Sequence, residues 1–208
     1  DLDDITVAEE MDPIVEEHCK ALGINVHGKD LLPMVGEYSQ NLIAKVLAGQ
    51  EVDEESKCDI ETPVRPPIMC PGCPHRGIFY TLKRNKCIVI GDIGCYTLAA
   101  AEPLASMDMT LCMGASVSAT HGFLKALGED APKNVVGVIG DSTFIHSGMT
   151  GLAEIAYNQS NATIVILDNS TTGMTGQQEN PTTGYNIKGD PAGKIDLEAL
   201  VKAMGIRR

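Results

Sequence analysis

Asp141 and Asn169 are the first residues of this sequence whose types and spacing can do chemistry. Asp141 follows the apolar run VVGVIG, and Asn169 follows TIVILD, 28 positions later. That is the length of a strand end, a crossover helix and a second strand. A right-handed crossover sets both residues at one edge of adjacent parallel strands, the edge outside which ligands bind. A carboxylate and an amide there, with a backbone carbonyl just beyond, can share one hard cation and leave positions for phosphate oxygens, which suits magnesium with a diphosphate. Taken singly, Asp141 also reads as a helix cap and Asn169 as a turn residue.

The second constellation is Cys70-Pro71-Gly72-Cys73. A CxxC loop with Pro and Gly inside it directs two thiolates at one point, as iron–sulfur and zinc sites require. Pro74 separates Cys73 from His75, which excludes a haem-attachment motif. The residues alone leave three readings open: a cluster, zinc completed by His75, Cys87 or Cys95, or free thiols beside a pocket. Cys19, Cys58, Cys87 and Cys112 are single thiols and read as buried filler. His75, just after the CPGC turn, and His146, in the turn after Asp141, are the candidates for moving a proton near neutral pH. Either one also reads as a helix-start histidine bonded to backbone. His18, His27 and His121 carry no motif.

The elements that must position these groups are legible from apolar runs. CIVIGD, NVVGVIGD and ATIVILDN alternate with helical stretches at 78–84, 114–127 and 148–158, and continuous apolar runs between helices indicate strands buried on both faces of a parallel sheet. The class is α/β, a parallel sheet with helices on both faces. Upstream, ITVAE reads as a short strand, MDPIVEEHCKALG as a helix with Pro13 in its first turn and Gly23 at its stop, and 32–47 as an amphipathic helix ending before Gly49. Residues 1–50 read as the tail of a preceding α/β domain, because one strand forms no sheet alone. Residues 51–67, rich in acids and prolines, read as a linker, and 68–208 as the ligand-binding domain, truncated at its C-terminal side.

Composition narrows the partners. Sixteen basic against 28 acidic residues give a net charge of −12, which argues against nucleic acid or an anionic membrane as partner. Any phosphate must then be held locally by backbone amides, helix ends or a metal. No apolar stretch suits a membrane span, and no leader is visible, so the chain reads as soluble and cytoplasmic. Seven cysteines, an odd number in a chain of 208 residues, favour a reducing compartment.

These motifs sit in longer runs that carry a resemblance. Gly140-Asp141-Ser142 with Asn169 downstream looks like the diphosphate motif of thiamine-diphosphate enzymes, which usually begins Gly-Asp-Gly; Ser142 departs from it and fits a narrower group. RPPIMCPGCPHRG, GDIGCYTL, CMGAS, GDSTFIHSGM and LDNSTTGMTGQQ together resemble the thiamine-diphosphate domain of the indolepyruvate ferredoxin oxidoreductase alpha-subunit family, one of the 2-oxoacid ferredoxin oxidoreductases. VAEEMDPIVEEHCKALG resembles the segment just upstream in that family.

The resemblance implies roles residue by residue. Asp141, Asn169 and the Thr171 carbonyl would bind magnesium. Amides around Gly140, Ser142 and Thr143 would approach the diphosphate of thiamine diphosphate. Gly114 would let backbone approach the cofactor rings, with Met113 supporting the bent cofactor or simply filling core, and Ser116 and Thr175 as polar neighbours. Cys70, Cys73 and Cys95 would match three ligands of a 4Fe-4S cluster beside the cofactor, the fourth being absent because no Cys follows Cys112. Cys95, Cys70 and Cys73 are therefore expected to converge. The implied reaction is oxidative decarboxylation of an aryl 2-oxoacid such as indolepyruvate, with coenzyme A taking the acyl group and ferredoxin the electrons. The implied partners are a beta subunit and a pyrimidine-binding domain or subunit whose Glu activates the cofactor, so the chain alone is expected to be inactive. The alternatives are a non-redox thiamine-diphosphate decarboxylase or transferase, which has no use for CPGC, and a non-catalytic metal-stabilised module, which has none for the Asp141–Asn169 pairing.

Overall fold

The computed structural model describes residues 4–51 and 60–206. Residues 52–59 of the linker expected at 51–67, and Cys58 with them, lie outside the described residues. The chain divides into two compact units, Asp1–Pro63 and Val64–Arg208.

In the first unit the run ITVAE makes a single parallel bridge, Thr6 to His27, with Val7 N–H donating to His27 O at 2.8 Å and His27 N–H to Ile5 O at 2.9 Å. Helix α1 covers Ile14–Ala21. Pro13 precedes it and has no side chain to cap it, so the Glu9 carboxylate does that work, accepting the amides of Val15 and Glu16 at 2.9 Å each. The helix expected over 32–47 is shorter: α2 spans Gln40–Leu47, and Ser39 caps it by accepting Leu42 N–H. Pro33 and Gly36, the latter at φ +101°, break the helical path before Ser39.

The second unit holds a four-stranded sheet in the order β2-β1-β3-β4, formed by Ile88–Gly91 (β1), Met109–Thr110 (β2), Val135–Gly140 (β3) and Thr163–Leu167 (β4). Every pairing is parallel. Helices α3 (His75–Arg84), α4 (Ala115–Leu127) and α6 (Met149–Tyr157) follow the expected stretches. A three-residue turn α5 (Asp141–Thr143) and a π turn (Phe144–Gly148) lead into α6, and α7 (Leu197–Ala203) closes the order.

The period-2 alternation of strands sends β3 side chains into two cores. Val136 and Val138 pack with Phe79 and Leu82 of α3, while Ile139 packs with Val117 of α4, Phe144, and Leu152 and Ile155 of α6. Both faces of the sheet are thus covered, as the apolar runs require. Phe79 and Phe144 are completely buried, a contribution of about 1.5–3 kcal/mol each. Every residue of central β3 is buried, whereas edge strand β4 is partly exposed.

One glycine sets how closely α4 approaches the sheet. A β-carbon on Gly137 would lie 2.5 Å from Thr120 Oγ1 and 2.6 Å from Ile164 Cδ1. Gly137→Ala is therefore expected to overpack the site and lower stability by about 1–3 kcal/mol. The urea midpoint at unchanged m-value measures it, and an unshifted midpoint would mean that α4 can retreat freely.

Candidate functional site

The β3–β4 register pairs Gly140 with Leu167, so the residues just beyond each strand lie side by side at one edge. Asp141 is 2 % exposed and begins the helical run that α5, the π turn and α6 form together. The first amides of a helix have no carbonyl one turn earlier, so those of Ser142 and Thr143 face outward at the strand edge. The Gly140 amide, grouped with them in the sequence reading, is already committed: it donates to Tyr96 Oη at 2.9 Å.

The Asp141 carboxylate is held by residues far along the chain. Thr182 Oγ1 donates to Oδ2 at 2.7 Å and Asn180 Nδ2 at 3.4 Å. The other oxygen, Oδ1, faces Asn169. One atom of the Asn169 amide lies 3.0 Å from Asp141 Oδ1 and 2.8 Å from the Thr171 carbonyl oxygen. With nitrogen in that position the amide donates to both oxygens and the three groups close on themselves. With oxygen there, three oxygens converge. Adjacent oxygens of an octahedral magnesium site, at metal–oxygen distances of about 2.0–2.1 Å, stand about 3 Å apart, close to the 3.0 and 2.8 Å between the amide atom and its two neighbours. The donor set therefore fits a small hard divalent cation, in the amide orientation that an ion selects.

The β1 end supplies the opposite wall. Asp92 is completely buried and accepts Gly114 N–H at 2.7 Å, Ser116 N–H at 2.8 Å and Ile93 N–H at 2.8 Å. It thereby fastens the β1 turn to the N-terminus of α4, where a carboxylate is favoured by both dipole and unpaired amides. Gly114 precedes α4 in the left-handed region, φ 87°. Thr143 Oγ1 donates to Ile93 O at 3.0 Å, and Ser142 Oγ lies 2.8 Å from Thr172 Oγ1, so hydroxyls stitch three strand ends together. The phenol of Tyr96 is buried, and burial pushes its pKa far up, so it stays protonated.

The resulting pocket is lined by His75, Cys95, Met113, Gly140, Asp141, Ser142, Thr143, Asn169, Thr171 and Thr175, among others. Burial pulls the His75 imidazole below its ordinary range against the opposing pull of Asp141, so at pH 7 it enters the pocket neutral. Thr175 bonds Gln178 Oε1 at 2.6 Å. Gly114 and Ser116 are buried behind this lining rather than in it. His146 is exposed, with Nδ1 3.0 Å from Ser147 Oγ.

The cysteines do not meet as expected. Among the described residues no group of three or more His, Cys, Asp or Glu side chains is close enough to hold a metal ion, and Cys70, Cys73 and Cys95 are all free thiols. Cys73 packs against the core around Phe79. Cys95 instead reaches toward Gly173, with Sγ 3.7 Å from the place of a β-carbon there. Cys70 is exposed. These three thiols therefore form no single-ion site among the described residues.

Sequence reading missed Asp92, Tyr96, Thr172, Asn180 and Thr182 as parts of the site. For Asp92 a signal existed: it ends an apolar run just as Asp141 does. Asn180 and Thr182 lie 39 and 41 positions from Asp141, a contact that no local pattern announces.

Comparison with known proteins adds the following. Residues 92–208 match the family model described as "Thiamine pyrophosphate enzyme, C-terminal TPP binding domain". Over 234 residues the chain is 39 % identical to "Indolepyruvate oxidoreductase subunit IorA" of Pyrococcus horikoshii, covering 98 % of this chain and 36 % of that protein. It is 40 % identical over 221 residues to the protein of the same name from Archaeoglobus fulgidus, covering 97 % of this chain and 35 % of that one. It is also 28 % identical over 165 residues to "2-oxoglutarate synthase subunit KorB" of Archaeoglobus fulgidus, covering 70 % of this chain and 58 % of that protein. The chain thus spans little more than a third of the length of the two IorA relatives.

The Tyr96 hydroxyl bridges the β1 and β3 turns, accepting from Gly140 and donating to Ile93 O at 3.1 Å. Tyr96→Phe leaves the buried Gly140 amide without an acceptor, an expected loss of about 1–3 kcal/mol. Chemical denaturation reads this directly, and an unchanged free energy would show that water reaches Gly140.

Proposed function

This chain belongs to the thiamine pyrophosphate enzyme family, as their C-terminal TPP-binding domain, and from that premise we propose that it is the diphosphate-holding part of a 2-oxoacid ferredoxin oxidoreductase acting on aryl 2-oxoacids such as indolepyruvate. In this reading residues 68–208 form the cofactor domain, and residues 1–50 end a domain that precedes it. The observation that carries the proposal is the convergence of the Asp141 carboxylate and the Thr171 carbonyl on the Asn169 amide beside a helix start. The names of the IorA relatives support the aryl substrate, and that of the KorB relative supports the wider 2-oxoacid class.

Asp141, the Asn169 amide oxygen and the Thr171 carbonyl hold magnesium, and the Ser142 and Thr143 amides, at the positive end of the helical run, hold the diphosphate oxygens. Thr182 and Asn180 fix the carboxylate so that Oδ1 stays aimed at the ion. Met113 faces the ring-bearing part of the ligand, and Gly114, buried behind it, sets the course of that turn. When bound, the cofactor supplies an electron sink for loss of carbon dioxide from a 2-oxoacid. His75, neutral at the pocket wall, is the side chain that can carry a proton there; His146 remains a second candidate only by reaching in from its exposed turn. The Glu that activates the cofactor, the beta subunit and the route to ferredoxin and coenzyme A belong to other parts of the enzyme.

Calorimetry tests the core of this reading. Thiamine diphosphate is expected to bind the full chain with magnesium and to lose binding in chelator. Asp141→Ala should lower affinity at least a hundredfold, because it removes the one charged ligand of the ion. Equal affinity with chelator, or in the variant, would remove the metal bridge.

A further inference from the structure

The loop carrying Met113 is held by a hydroxyl of the helical run that begins at Asp141, and we infer that Ser147 is a positioning residue for the ring-bearing end of the ligand. This rests on the thiamine-diphosphate reading of the pocket. Ser147 Oγ–H donates to the Met113 carbonyl at 2.9 Å. The same oxygen lies 3.0 Å from His146 Nδ1, so with Nδ1 protonated the imidazole donates to the hydroxyl, which directs its own proton at Met113.

Contact between the two segments is tight enough that the geometry is fixed. A β-carbon on Gly114 would stand 2.1 Å from Ser147 Oγ and 2.9 Å from the Ser147 carbonyl carbon. Gly114 is therefore required for this approach as well as for its φ of 87°. Ser147 lies in the π turn Phe144–Gly148. A π turn adds a residue to the helical repeat, so it sets the direction in which side chains beyond it leave the helix, and here it presents Ser147 to the Met113–Gly114 turn. One helical run thus governs both ends of the ligand. Its first turn, with Asp141, Ser142 and Thr143, meets the charged end. Ser147, further along, controls the turn from which Met113, 40 % exposed, lines the pocket.

The two ends can be separated by the choice of ligand. The full chain and its Ser147→Ala variant are titrated with magnesium–thiamine diphosphate and, separately, with magnesium and inorganic pyrophosphate, which has the charged end alone. Loss of the hydrogen bond that holds the Met113 carbonyl is expected to weaken thiamine diphosphate about five- to tenfold in the variant. Pyrophosphate affinity should stay within about twofold, since nothing at the first turn changes. Ser147→Thr, which keeps a hydroxyl, should recover most of the loss. Equal weakening of both ligands would assign Ser147 a general structural role and overturn the proposal, as would undiminished affinity of the alanine variant for thiamine diphosphate. Failure of the unaltered chain to bind thiamine diphosphate while it still binds magnesium pyrophosphate would overturn the reading of the pocket, and this inference with it.

Discussion

A carboxylate buried at the end of the central strand is the constraint to which the rest of the site answers. An ionised carboxylate removed from water costs several kcal/mol unless its surroundings replace the lost solvation. The second unit contains two such groups, Asp92 and Asp141, each directly after a glycine at the end of a parallel strand, and each almost wholly buried. They are solvated in opposite ways. Asp92 accepts three backbone amides at a helix N-terminus and is complete as it stands. Asp141 receives a hydroxyl and a weak amide contact on one oxygen, while its other oxygen faces the Asn169 amide. The first carboxylate is a structural fastener. The second keeps a face that a cation can take.

The loops follow from this division. Asp92 locks the β1 turn to α4, and that fixes where Gly114 and Met113 lie. Tyr96 and Thr143 tie the same turn to the end of β3, and Ser142 ties β3 to the loop after β4 through Thr172. Each link is a hydrogen bond between the end of one strand and the end of its neighbour, so the strand order β2-β1-β3-β4 is also the order in which the pocket walls are joined.

What the sequence made legible follows the same logic. The strands could be read because burial on both faces leaves continuous apolar runs, and Asp141 and Asn169 could be paired because chain length and crossover handedness bring successive strand ends together. Helix α7 has a readable start, Asp196 accepting Ala199 N–H, but its short IDLEALVKAMG run was passed over. Strand β2, two residues long, is below any periodicity. Asn180 and Thr182 were invisible because their partner is set by the folding-back of the loop after β4. CPGC spacing fixes two cysteines locally but does not decide which way the turn rolls, and the apolar environment around Phe79 and Met69 takes up Cys73.

Electrostatics then restricts how an anionic ligand can be held at all. Among the described residues no lysine or arginine lines the pocket, and Arg76, next to His75, donates instead to the carbonyls of Met69 and Cys70. A chain of net charge −12 offers no favourable long-range field, and Asp141 adds a negative charge at the binding edge itself. Helix amides contribute a partial positive charge of about half a unit, too little to offset a carboxylate together with a diphosphate. A divalent cation between them reverses the sign of the interaction: the same carboxylate that would repel the ligand becomes the group that holds its counter-ion. Placing the acid at the edge therefore accords with the proposed metal-bridged site, in which the carboxylate meets the counter-ion rather than the diphosphate.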